Sequence, residues 1–154
     1  MGGFFGIASQ GDCIAELYYG TDYHSHLGTK RGGLAVSRPE GFARVIHNIE
    51  NSQFRSKFDD DIAGLRSRLG IGVISDTDDQ PLLIRSHLGN YAIVTVGAVK
   101  NAEALAAEAF RSRRLHFSEM SGGTINPTEV VSTLINQGET FEEGIRLAQD
   151  SIQG

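Results

Sequence analysis

Apolar positions along this chain fall into two spacings, one of strands and one of helices. Phe4–Ala8 is an apolar run of strand length that begins almost at the terminus, which predicts an N-terminal strand tied into a sheet. Across Cys13–Tyr23, Ile14, Leu17 and Tyr18 lie at i, i+3 and i+4, one face of a helix, with Asp12 positioned to cap it. Leu34–Val36 and Ala43–Ile46 predict short strands on either side of the turn string Arg38-Pro39-Glu40-Gly41. Phe54, Phe58, Ile62 and Leu65 recur at helical intervals within Ser52–Arg68. Gly70–Ile74 and Leu82–Ser86 predict strands flanking a polar loop, Asp76–Gln80. Leu88-Gly89-Asn90-Tyr91 predicts a hairpin turn, with Ala92–Val96 as the returning strand. Asn101 opens an Ala-rich helix to about Arg111.

Two helix starts in the last third carry explicit capping chemistry. Asn126-Pro127-Thr128-Glu129 supplies a cap residue, a proline at the first helical position and a glutamate three residues after the cap. Thr140-Phe141-Glu142-Glu143 repeats the capping-box spacing ahead of Ile145 and Leu147. Strands that neighbour one another, with helices between and after them, predict an α+β domain built on an antiparallel sheet covered by helices.

Composition narrows the classes of function. With 154 residues and 40% hydrophobic content, the chain can bury a single core without disulfides or a structural metal. The net charge is −5 and neither half is basic, which argues against a nucleic-acid binder. A single cysteine excludes a disulfide scaffold and fits a reducing compartment. No apolar run approaches membrane-spanning length and Met1–Ser9 lacks the basic flank of a signal peptide. The Met-Gly start has Gly6 where a myristoylation motif needs Ser or Thr. The expected location is the cytoplasm.

The residues offer a few chemical candidates. Cys13, at a helix start, is either a thiol whose pKa the helix dipole lowers or a buried inert side chain; the second is the stronger reading. His24 and His26 alternate as strand neighbours would and, with Asp22, suggest a metal pair, but no third ligand is evident and no metal is expected. His47, His87 and His116 are isolated. Gly28-Thr29-Lys30-Arg31-Gly32-Gly33 is glycine-rich and basic, yet lacks the phosphate-loop pattern and reads as a tight turn, as does Ser121-Gly122-Gly123 before the Asn126 cap. Asp59-Asp60-Asp61 reads as a solvated helix start, without a calcium-loop pattern. Arg111, Arg113 and Arg114 read as a solvated helix end.

Several segments, in order, resemble the class II glutamine amidotransferase domain, the Ntn-type glutaminase of amidophosphoribosyltransferases. Met1-Gly2-Gly3-Phe4-Phe5-Gly6-Ile7 resembles the family's Met-Cys-Gly-Ile-x-Gly-Ile opening. His26-Leu27-Gly28-Thr29-Lys30-Arg31-Gly32-Gly33-Leu34 resembles its His-Arg-Gly-Gln-x-x-x-Gly-Ile turn, and Gly70-Ile71-Gly72 the strand that continues into His-x-Arg. Gln80-Pro81, Gly97–Asn101 with Leu105, and Thr128-Glu129-Val130 resemble later blocks, so the match runs the length of the chain.

The resemblance implies an Ntn-hydrolase-like sandwich of antiparallel sheets with helices outside. It also implies a place in purine synthesis, where the family makes phosphoribosylamine from glutamine and phosphoribosyl pyrophosphate. The family's working groups are nevertheless missing. Its N-terminal cysteine nucleophile corresponds to Gly2. Val73 and Ser75 stand for the His and Arg of the carboxylate clamp, Val96 for the oxyanion-hole Asn ahead of Gly97, and Pro127 for the Asp that holds the glutamine amine. Gly2, His26, Gly28, Ser75, Val96, Gly97 and Pro127 are thus the expected remnants of a glutamine pocket, in a domain expected to lack glutaminase catalysis and to need no cofactor of its own. Glutamine or a related small molecule is a candidate ligand, with a small-molecule-binding regulatory module or a hydrolase using Cys13 as alternative readings. The family domain continues into further strands and a phosphoribosyltransferase domain, so the expectation is a fragment of a longer, homo-oligomeric protein that leaves apolar sheet surface uncovered.

Overall fold

A computed structural model of the chain describes residues 2–26, 30–76, 78–112, 117, 120–121 and 123–154. It divides into two compact units, residues 1–83 with 92–96, and residues 84–91 with 97–154.

The first unit is built on a four-stranded antiparallel sheet with the order β1-β4-β2-β3. Its strands are β1 (Gly3–Ala8), β2 (Arg31–Arg38), β3 (Gly41–Asn48) and β4 (Leu69–Ser75). The register aligns Phe5, Gly72, Leu34 and Val45 in one row across the sheet. Because side chains alternate between faces, Phe5, Ile7, Leu34, Val36, Val45 and Ile74 share one side. Helices α1 (Ile14–Asp22) and α2 (Phe54–Ala63) supply Leu17, Tyr18, Phe54 and Phe58 to the same core. Gly72 is what lets α1 approach: a Cβ there would lie 1.9 Å from Thr21 Oγ1. Phe54 and Phe58 stack with centroids 4.2 Å apart, and Phe58 is 0% exposed.

The second unit carries α3 (Ala102–Arg111), the two-residue strands β7 (Met120–Ser121) and β8 (Thr124–Ile125), α4 (Pro127–Ile135) and α5 (Phe141–Ser151). The expected caps are present: Asn126 accepts from the Thr128 amide at 2.9 Å and Thr140 Oγ1 from the Glu143 amide at 3.2 Å. Glu143 turns back to accept from the Glu139 amide at 2.9 Å, one residue before the expected target. A Cβ on Gly144 would lie 2.0 Å from the Ile135 carbonyl oxygen, so α5 crosses close to the end of α4. Asn101 does not cap α3 with its side chain; it bonds the Ser151 carbonyl at 2.8 Å and the Gln153 amide at 2.9 Å, closing the C-terminal segment onto the start of α3. Strands β5 (Leu82–Ser86) and β6 (Gly89–Ile93) pair with each other, and their residues are shared between the two units.

The α+β expectation therefore holds, with local corrections. The hairpin turn sits at His87–Leu88, earlier than expected, so Gly89 and Asn90 already belong to β6. Asp12 does not cap α1: its Oδ1 accepts from the Ser67 amide at 2.8 Å, and the cap position is Cys13. Tyr23–His26 forms a 3-10 turn continuing α1, so His24 and His26 are not strand neighbours. Arg31–Gly33 belongs to β2 rather than to a turn, because antiparallel partners on both sides satisfy its backbone. The acidic run Asp59–Asp61 lies in the second half of α2, not at its start.

Candidate functional site

Strand pairing brings two of the expected pocket positions together. The β1–β4 register sets Gly3 opposite Ile74, which carries Gly2 to the end of β4 at Ser75. A Cβ on Gly2 would lie 2.0 Å from the Ile74 carbonyl oxygen and 3.3 Å from Ser75 Cα. Position 2 thus has no room for a side chain on this backbone. Ser75 is 8% exposed and its Oγ accepts from the Asp78 amide at 3.2 Å, so the hydroxyl serves its own loop. The His24 ring covers the neighbouring glycine: a Cβ on Gly3 would lie 2.5 Å from His24 Cγ and Nδ1.

His26 lines a cavity of about 460 Å³ with Asp22, Ser25, Glu50, Ser52 and Arg55, and the 3-10 turn that holds it also lies against β1 and β4. Arg55 Nε donates to Asp22 Oδ2 at 2.7 Å, and its guanidinium lies 5.5 Å from the Tyr19 ring centroid. The wall of this cavity therefore carries both signs of charge beside the apolar Ile49 and Phe54. Glu50 and Arg55 belong to no motif, so their part in a cavity with His26 could not have been found from spacing alone.

The remaining expected positions are divided between the two units. Val96, in the first unit, is 41% exposed. Gly97 and Pro127 belong to the second unit; Gly97 has φ +132° and Pro127 begins α4. Gly28 lies outside the described residues, as do Thr29, Gly122, Arg113, Arg114 and His116.

The other candidates resolve into structural roles. Cys13 is 1% exposed, and burial, then the Asp12 and Glu16 carboxylates, push its thiol pKa up, the reverse of activation. His47 Nε2 pairs with Asp61 Oδ2 at 2.6 Å while its ring meets Phe58 edge-on. His87 Nε2 bonds the Gly138 carbonyl at 2.8 Å. Arg31 Nε donates to Asp79 at 2.8 Å, and Arg111 Nε bonds the Ala107 carbonyl of its own helix at 3.3 Å. Among the described residues no group of three or more His, Cys, Asp or Glu side chains is arranged to hold a metal ion. No helix among them is long and apolar enough to cross a membrane.

Neither a family model nor a curated protein sequence matches the chain. Solved structures do. The glutamine phosphoribosylpyrophosphate amidotransferase from B. subtilis, complexed with ADP and GMP, superposes with a TM-score of 0.81 at 22% identity over 100% of this chain. A structure described as the allosteric regulatory enzyme of purine biosynthesis gives the same TM-score and identity. The fold of this chain is thus similar to part of an amidotransferase structure. The chain spans about a third of the length of these amidotransferase structures, 33% and 34%. At this identity the likeness concerns the amidotransferase scaffold, and residues must argue chemistry separately.

Proposed function

We propose that the chain is the glutaminase-like domain of an amidophosphoribosyltransferase-like protein and that it does not hydrolyse glutamine at the position its relatives use. The observation that carries this reading is Gly2. A glutaminase of this type needs a thiolate that attacks the amide carbon, and glycine offers none. The Ile74 carbonyl oxygen, 2.0 Å from where a Cβ would sit, supports it further, since the space for a nucleophile is closed as well as empty. Ser75, in place of the carboxylate-clamping arginine, leaves the substrate's charge without a guanidinium partner there.

In this reading the full protein acts in purine nucleotide synthesis in the cytoplasm. A phosphoribosyltransferase domain continues the chain, and the present domain has a structural or regulatory task. The test is a glutaminase assay on the full-length protein and on Gly2→Cys. No turnover is expected from either, because one cysteine restores neither the space nor the clamp. Turnover by the native protein that is abolished by blocking its N-terminus would overturn the proposal.

A second reading rests on the 460 Å³ cavity beside His26 and Arg55: a module that binds a small polar molecule. Thermal-shift measurements with glutamine, glutamate and, since the B. subtilis neighbour was solved with ADP and GMP, nucleotides test it. A concentration-dependent rise in melting temperature that is lost in Arg55→Ala supports this reading; no shift with any of them removes it.

A further inference from the structure

We propose that the cavity beside His26 and Arg55 receives an aliphatic α-amino acid, with its carboxylate on the Arg55 guanidinium, its ammonium on Glu50 and its side chain against Ile49 and Phe54. The proposal rests on the second reading above and narrows it to one class of ligand. The wall comes from two short stretches, residues 22–26 and 49–55, both inside the first unit. A volume of about 460 Å³ is that of a metabolite site rather than of a macromolecular groove.

Arg55 is held ready for a carboxylate. Its Nε donates to Asp22 Oδ2 at 2.7 Å and its guanidinium carbon lies 5.5 Å from the Tyr19 ring centroid, so the head is steadied by two neighbours. Its Nη groups have no hydrogen-bond partner among the described residues. Parallel N–H donors on one planar head match the two oxygens of a carboxylate, and a head already oriented loses little freedom on binding. Glu50 offers the complementary end. Its backbone amide bonds Asn48 Oδ1 at 2.8 Å, whereas its carboxylate has no hydrogen bond or ion pair among the described residues.

Charge balance selects the class. Asp22 and Arg55 offset each other, so Glu50 leaves this wall with a negative excess. A ligand that is only anionic meets repulsion there, and a plain amine leaves the guanidinium edge unused. A zwitterion engages both. Ile49 and Phe54 decide its side chain, because a further charge set against them would lose water without gaining a partner. Leucine, valine and methionine therefore fit better than glutamate.

Calorimetric titration of the chain with L-leucine, L-valine and L-methionine up to about 10 mM tests the proposal. N-acetyl-L-leucine and L-leucinamide, each lacking one charge, should bind about tenfold more weakly than leucine or worse. Glu50→Gln should weaken leucine about tenfold without weakening N-acetyl-leucine, which has no ammonium to lose. Arg55→Gln should weaken leucine without weakening leucinamide. Loss of fold would affect every ligand alike, and circular dichroism of both variants checks it; should Arg55→Gln unfold, Glu50→Gln decides. No binding of the three amino acids, equal binding of the capped derivatives, or leucine binding indifferent to Glu50→Gln would overturn the assignment. A melting shift with glutamate or a nucleotide and none with leucine overturns it too, yet leaves the second reading standing, whereas no shift with any of them removes both.

Discussion

The Tyr18 hydroxyl donates a hydrogen bond to Asp59 Oδ1, joining α1 to α2 across 41 residues of sequence. The ring is 3% exposed and meets Phe54 with centroids 5.7 Å apart, so an apolar body packs the core while its polar tip engages a carboxylate. Burial first, and the Asp59 bond second, hold the phenol above its ordinary pKa.

A pH dependence follows. The folded state favours the neutral phenol, so this contribution to stability is fully present below the unfolded value near pH ~10 and is lost as the pH climbs above it. Tyr18→Phe should cost about 1.5–3 kcal/mol at neutral pH, typical of a hydrogen bond to a charged group. It should also flatten the alkaline fall, without removing the part due to Tyr91, which burial likewise raises. Urea denaturation at several pH values checks both.

Phe58 is the core position whose truncation should be felt most. It is 0% exposed, stacked on Phe54 and touched edge-on by His47. Phe58→Ala should destabilise by about 3–5 kcal/mol through lost burial and a residual cavity. Chemical denaturation followed by far-ultraviolet circular dichroism measures it.

Gly33 and Gly11 should respond in opposite ways to alanine. A Cβ at Gly33 would lie 1.7 Å from the Gln80 carbonyl oxygen, whereas at Gly11 nothing stands within 4 Å. Gly33→Ala should cost about 1–3 kcal/mol or more, as overpacking against backbone does. Gly11→Ala should stay within roughly 0.5 kcal/mol of the native protein. Parallel melts of the two variants make the comparison.

Thr140→Ala should cost about 1 kcal/mol, because the Glu143 amide loses its acceptor at the start of α5. Thr140→Ser should recover most of it. Hydrogen exchange at the Glu143 amide reports the loss locally.

Cys13 should label with a thiol reagent only as fast as the protein opens. Its burial and raised pKa leave almost no exposed thiolate at neutral pH. Rapid labelling of native protein would revive a nucleophilic role; labelling that accelerates with urea in step with unfolding supports the packed thiol.

Legibility in the sequence followed the range of the interactions. The caps at Asn126 and Thr140 were readable because donor and acceptor lie within three residues of each other. Asp12 reads as a cap, but its actual partner, the Ser67 amide, is 55 residues away. Asp59 and Asp61 reach solvent, as an acidic run implies, yet they also bind Tyr18 of α1 and His47 of β3, partners that no local spacing shows. At the site, the missing side chain of Gly2 was plain in the sequence. That the Ile74 carbonyl fills the space could not be, since it depends on the β1–β4 register.

The sequence by itself determined most of the elements and their order, the caps at Asn126 and Thr140, an α+β composition and the lack of a nucleophile at position 2. These rest on hydrophobic period and on contacts within one helical turn. Tertiary structure alone decided the order β1-β4-β2-β3, the partners of Asp12, Asp59 and Asp61, and the closure of position 2. Each of those depends on segments tens of residues apart meeting in one register, a choice that no local preference encodes.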